Sequence, residues 1–258
     1  MPDRHRRRSN ALAAVLAALF AVPFGALAVQ AFADSWRAPA LVPQELGLRA
    51  WRAVLQGDGT LEALATSLSV ALAVTGMALL LAWPAARVLG ERRLRHPGPV
   101  FVLLATPLLV PPFASGTGLT QWFIRLGLTD TLAGLMLAHL TVALPYAVLV
   151  LLSGFGPGLR GLEEMARASG LTPRQRLAWV TLPALRPGLV VAGFLCFLVS
   201  WSQYGLSLAI GAGRPTLPII LLPFVRSDPQ IAAMLSLLFI APALAALAVT
   251  VRLARSPL

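Results

Sequence analysis

Apolar residues come in long runs along this chain, and every charged residue falls between them. Six runs contain no Asp, Glu or Arg: approximately Ala11–Ala33, Ala63–Ala86, Pro99–Gly118, Leu132–Ser153, Pro187–Ile210 and Gln230–Val251. A bilayer's hydrocarbon core is about 30 Å thick and each helical residue rises about 1.5 Å, so about 20 apolar residues make one crossing. A charged residue at the centre of such a helix costs roughly 2.5–3.5 kcal/mol on insertion scales, the pressure that leaves this partition. The pattern predicts an all-α integral membrane protein of six transmembrane helices, built as one transmembrane domain over residues 1–258.

The first run follows Arg4, Arg6, Arg7 and Arg8, and Ala31-Phe32-Ala33 before Asp34 imitates a signal-peptidase site. It exceeds the core of about 7–15 residues usual in secretory signals, so it is expected to stay as an uncleaved anchor. Arginine placement sets the orientation. With the N-terminus inside, the inner segments carry four Arg at the start, four at residues 87–95, five at 160–186 and two in the tail. The outer segments carry Arg37, Arg49, Arg52, Arg125, Arg214 and Arg226. The inverted topology reverses this bias, so both termini are expected in the cytoplasm. Prolines interrupt some runs: Pro107, Pro111 and Pro112 in the third, before Gly116 and Gly118, and Pro145 in the fourth. Proline removes a backbone donor and bends a helix. Such breaks survive at membrane depth where other helices or a water-filled cavity satisfy the freed carbonyls.

Composition sharpens this picture. Of 258 residues, 57% are hydrophobic and 12% charged, whereas soluble domains carry about 25% charged residues. The mean hydropathy is +0.78. A net charge of +11 would suggest nucleic acid in a soluble protein. Here the basic residues cluster between apolar runs, as in membrane loops, so the partner is the lipid bilayer and no nucleic acid is expected. All 21 basic residues are Arg. Without Lys there is no G-x-x-x-x-G-K-[ST] phosphate loop; if ATP drives this protein, another chain hydrolyses it. The lone Cys196 excludes an internal disulfide.

The long inner loop, residues 156–186, can be parsed from helix chemistry. Leu162, Met165, Ala166 and Ser169 are expected on one helical face. Glu163 and Arg167 are placed as an i, i+4 pair. Gly170 sits where a helix ends in a left-handed residue. Thr172 is placed to N-cap a second helix, with Pro173 at its first position and Gln175 completing a capping box. A short, nearly charge-balanced helix of small side chains suits a groove on a partner; the plainer alternative is a solvated connecting helix.

This loop resembles the "EAA" signature of bacterial ABC importer permeases of the binding-protein-dependent type, E-A-A-x-x-x-G, nine residues, then I-x-L-P. Glu164, Ala166, Gly170, Leu182 and Pro183 match, while Met165 and Val180 replace an Ala and the Ile. Ala138-His139 with Pro145-Tyr146, and Ser200-Trp201-Ser202-Gln203-Tyr204 with Thr216-Leu217-Pro218-Ile219, are similar to later parts of the family pattern. Trp36, Pro39, Pro43 and Leu48-Arg49-Ala50-Trp51 resemble the first outer loop of the polyamine, ferric-iron and thiamine branch. The resemblance implies the type I importer permease fold, with a coupling helix and turn formed by Glu163, Glu164, Met165, Ala166, Arg167, Ala168, Ser169, Gly170, Leu171 and Thr172. It implies two ABC ATPase subunits holding ATP and Mg, with no cofactor on this chain. It further implies a second permease in a homo- or heterodimer, an extracytoplasmic solute-binding protein, and a bacterial inner (plasma) membrane location.

Candidates for the solute pathway lie in the spans: His139, Tyr146, Ser200, Gln203, Tyr204 and Ser207. Ser200, Gln203 or Tyr204, and Ser207 share a face at helical spacing. They either line the pathway or join helices by hydrogen bonds. His139 is the one ionisable group well inside a span, Tyr aside, which makes it a functional candidate or a neutral imidazole bonded to a neighbouring helix. Metal ligation is not expected, since His5 and His96 lie in distant inner segments. The expected cargo is a thiamine-like or polyamine-like organic cation, alternatively ferric iron or an oxyanion. Ser202 and Gln203 stand where polyamine permeases tend to carry acids, which counts against a polyamine. A secondary transporter would show buried carboxylates or broken helices in related halves. An intramembrane enzyme would need an acidic partner for His139. The sequence offers neither, and no catalytic residue is expected.

Overall fold

The computed structural model describes residues 2–255 other than 38, 58, 92, 93 and 212, and not the side chains of residues 2–9, 11 and 20. Arg92 and Arg93, and the side chains of Arg4, His5, Arg6, Arg7 and Arg8, lie outside the described residues. The chain begins with α1 (Pro2–Ala31), a hairpin of β1 (Ala33–Ser35) and β2 (Glu45–Leu46), and α2 (Arg49–Gln56). The long α3 (Thr60–Gly90) follows, then α4 (Pro97–Leu109), α5 (Pro112–Arg125) and α6 (Leu132–Leu152). Beyond them come α7 (Pro157–Ala168) and α8 (Pro173–Arg176), which runs through a π-helical turn at Leu177–Thr181 into α9 (Leu182–Trp201). The last elements are α10 (Gly205–Ile210), α11 (Leu217–Leu221), α12 (Phe224–Ser227) and α13 (Pro229–Arg255).

Among the described residues five helices are long and apolar enough to cross a membrane; the α4–α5 pair, bent by 106°, is the sixth crossing when taken as one. Two expected spans need correction. The third, expected over 99–118 with prolines interrupting it, is two helices meeting at an elbow at Val110–Pro111. Pro111 and Pro112 carry no N–H, so the carbonyls of Pro107 and Leu108 lose their helical donors there. The fifth, expected over 187–210, is helical from residue 173 to Trp201 and then breaks before α10. Ala33, expected at the end of the first span, lies in β1.

The chain divides into two compact units, residues 1–61 with 220–241 and residues 62–219 with 242–258. In the first, Phe32 lies against Trp51 with ring centroids 5.0 Å apart, and Ala31, Ala33, Ala50 and Val54 are buried. The guanidinium of Arg49 grips Asp228 with both nitrogens, at 2.7 and 3.0 Å. In the second, α3, α6 and α9 pack through small side chains: Ala78, Ala82 and Ala86 against Ala143, Ala147 and Ala192, filled out by Val70, Val74, Val148, Leu151 and Leu185. Small residues let membrane helices approach closely, which is where association in lipid gains its van der Waals energy. A separate cluster joins Phe123 of α5, Ala138 and Val142 of α6, and Leu206 and Ile210 of α10.

Candidate functional site

The segment after α6 is anchored before it becomes helical. Phe155 meets Trp83 of α3 edge to face, with ring centroids 5.5 Å apart, and a Cβ on Gly90 would collide with the Phe155 carbonyl. Pro157 opens α7 at a position where its missing N–H costs nothing. Leu159 and Ala166 face inward, while Leu162 and Met165 are 45% and 61% exposed. The expected grouping is corrected accordingly: Ala166 belongs to the inner stripe, and Leu162, Met165 and Ser169 form the exposed one. One turn of α7 beyond Leu159, Glu163 shares the inner side.

The end of α7 closes with two bonds, Gly170 N–H to Arg167 O at 3.0 Å and Leu171 N–H to Ala166 O at 3.1 Å. Gly170 adopts φ of +82°, so this is a Schellman closure. Nothing lies within 4 Å of where a Gly170 Cβ would stand; glycine is required by backbone conformation, not crowding. Thr172 then caps α8: its N–H donates to Gln175 Oε1 at 2.9 Å and its hydroxyl accepts from Gln175 N–H, completing the capping box.

Glu163 does not pair with Arg167 along its own helix. Its Oε2 accepts from Arg87 of α3 at 2.6 Å and its Oε1 from the Thr181 hydroxyl at 2.6 Å. Arg87 also donates to Glu91 at 2.7 Å, and Arg160 donates to the Glu91 carbonyl at 2.7 Å. The reason is solvation: a pair reaching across to α3 is half sheltered, with Glu163 15% exposed, whereas an i, i+4 pair in water gains only about 0.3–0.5 kcal/mol. Thr181 reaches the carboxylate from the π-helical turn, where the extra residue re-aims side chains. Arg87, Glu91, Arg160, Glu163, Glu164, Arg167 and Arg176 surround a cavity of about 460 Å³. Arg87, Glu91, Arg160 and Thr181 were not singled out in the sequence. Partners as far apart as the 76 residues between Arg87 and Glu163 leave no periodic signal.

A second group lies within the spans. His139, Ser200 and Ser207 are 2%, 3% and 0% exposed, and both imidazole nitrogens are bonded: Nδ1 to Ser200 Oγ and Nε2 to Ser207 Oγ, each at 3.0 Å. Ser207 gives its one hydroxyl proton to the Gln203 carbonyl at 2.6 Å. Nε2 is therefore the protonated nitrogen, donating to Ser207, and Nδ1 accepts from Ser200. Of the six pathway candidates the structure brings these three together with the Gln203 backbone. Tyr204 sits half-buried at the break before α10, and Tyr146 is exposed on α6.

No family model matches the chain. It is 32% identical over 226 residues to the molybdenum transport system permease protein ModB of Mycobacterium tuberculosis (strain ATCC 25618 / H37Rv), covering 81% of this chain and 84% of that protein. It is 33% identical over 193 residues to the trehalose transport system permease protein SugB of Mycobacterium tuberculosis (strain CDC 1551 / Oshkosh), covering 73% of this chain and 69% of that one. This chain belongs to the ABC importer permeases. The permease also superposes, with a TM-score of 0.75, on a solved bacterial ABC transporter involved in the import of the acidic polysaccharide alginate. That likeness spans 96% of this chain and 97% of the other at 18% identity, and it shows the fold. As a permease, the chain is a multi-pass membrane protein and a transport component.

Proposed function

We propose that this permease moves a small polar solute by alternating access across a bacterial inner membrane, with both termini cytoplasmic. An extracytoplasmic binding protein delivers the solute, and a second permease completes the pathway. Two separate ATPase subunits, carrying ATP and Mg, seat the helix and turn of residues 163–172. The observation that carries this reading is the Glu163 junction. One carboxylate on α7 holds Arg87 near the end of α3 and Thr181 just before α9. A push on α7 is thereby delivered to two crossings at once. The exposed Leu162 and Met165 give an ATPase groove an apolar stripe to cover.

The elbow between α4 and α5 supports a pathway beside it. Leu109 is 83% exposed at the elbow, where two carbonyls lack helical donors. Irregular backbone at membrane depth is tolerated against protein or water but not against lipid. That face is therefore assigned to the solute pathway and the second permease. The six apolar runs hold no Asp, Glu or Arg, so an organic cation would meet carbonyl dipoles and aromatic rings here, and selection falls to the binding protein.

Gly170→Val tests the coupling role. A β-branched residue at positive φ strains the turn by about 1–2 kcal/mol. ATP-driven uptake is expected to fall at least about tenfold while the complex assembles, with Gly170→Asn, which tolerates that conformation, far less affected. Full uptake in Gly170→Val would refute the role.

A further inference from the structure

The fifth crossing breaks with no proline at the break. After Trp201 the Gln203 N–H reaches only the Ser200 carbonyl, at 3.3 Å, and α10 restarts at Gly205. What shapes this break is tertiary. An ideal Cβ on Gly205 would stand 3.0 Å from the Phe113 nitrogen, just past the α4–α5 elbow, and one on Gly116 would stand 2.8 Å from Ala209 Cβ. Asp130 N–H donates to the Ile210 carbonyl at 2.8 Å. So α10 is packed onto α5 and the turn that follows it, and both helices begin immediately after a non-helical link. The two links, Val110–Pro111 and Ser202–Tyr204, lead back to α4 and α9, which pack with the α3–α6 cluster.

His139 stands where these two groups meet. Its Nε2–H bonds Ser207 inside α10, and its Nδ1 bonds Ser200 at the end of α9, on the other side of the break. We propose that His139 is a positioning residue for transport, clamping α10 to α9 across the break, and that the Ser207–His139 bond opens when α5 and α10 swing together during the cycle. This rests on the alternating-access reading. A neutral imidazole suits the task because one rigid ring offers a donor and an acceptor to hydroxyls on both sides of a gap. In a buried site an unpaired polar group is costly, so the clamp has a closed state and an open one, with little between.

The test uses the permease purified with its ATPase subunits in liposomes, with a maleimide as probe. Ser202 is exposed at the break and Cys196, the chain's one cysteine, is fully buried, so Ser202→Cys reports the break against a silent background. The labelling rate of this parent is expected to differ between the nucleotide-free complex and the complex trapped with ATP and vanadate. Adding His139→Ala or Ser200→Ala should raise the nucleotide-free rate about tenfold, the effect of losing one buried hydrogen bond, and flatten the ATP response. His139→Gln, whose amide keeps one donor and one acceptor, should restore both. Rates within about twofold of the parent in Ser200→Ala, or in an assembled His139→Ala, would overturn the clamp. A parent that labels equally with and without ATP would instead remove the alternating-access reading beneath it.

Discussion

Where α12 meets α13, a single carboxylate serves two neighbours. Asp228 Oδ1 accepts the Ile231 N–H at 3.1 Å, capping α13, while both oxygens hold Arg49. Asp34 in turn accepts the Arg49 backbone N–H at 2.8 Å. The bond from Arg49 holds the Asp228 carboxyl below its usual range, although partial burial pushes it up, and the same bond raises Arg49. A depressed carboxylate stabilises the fold above its unfolded pKa, and that contribution disappears as pH falls through the lower folded value. Thermal stability attributable to Asp228 should therefore be flat from about pH 8 to pH 5 and fall below about pH 4. Because the pair is partly exposed, Arg49→Ala should cost under about 1 kcal/mol, and Asp228→Ala about 1–2 kcal/mol because it also removes a cap. Equal costs in thermal unfolding would show that the cap contributes nothing.

At the scale of elements, α3, α6 and α13 were legible within a few residues, because an apolar run long enough to cross a bilayer has few alternatives to helix. The loop helix, its left-handed Gly170 and the Thr172 capping box were legible too, since each is an arrangement of residues close in sequence. The breaks were not equally so. Pro111 and Pro112 announced the elbow's place but not its 106° bend, for hydropathy carries no direction. The break after Trp201 has no local signal: its neighbours are Phe113, Gly116 and His139, which sequence distance hides. The same holds for Glu163, whose true partner is on another crossing. If the elbow is set by missing donors, Pro111→Ala with Pro112→Ala should let α4 run on into α5. Spin labels at Val100 and Trp122, 37% and 61% exposed, should then move apart by electron–electron resonance. An unchanged distance would assign the bend to packing alone.

For the whole molecule, arginine placement and the Glu163 junction support one proposed mechanical picture: a helix at the inner face, driven by an ATPase, moves the crossings it is tied to. Sidedness and contact can be read together from one variant. Met165→Cys places a thiol on the exposed stripe of α7, with the native Cys196 buried and silent. In intact cells a membrane-impermeant maleimide should leave it unlabelled, and in inverted vesicles a short bifunctional crosslinker should join it to the ATPase in a nucleotide-sensitive way. Labelling from outside intact cells, or no adduct with the ATPase in assembled complexes, would contradict the account.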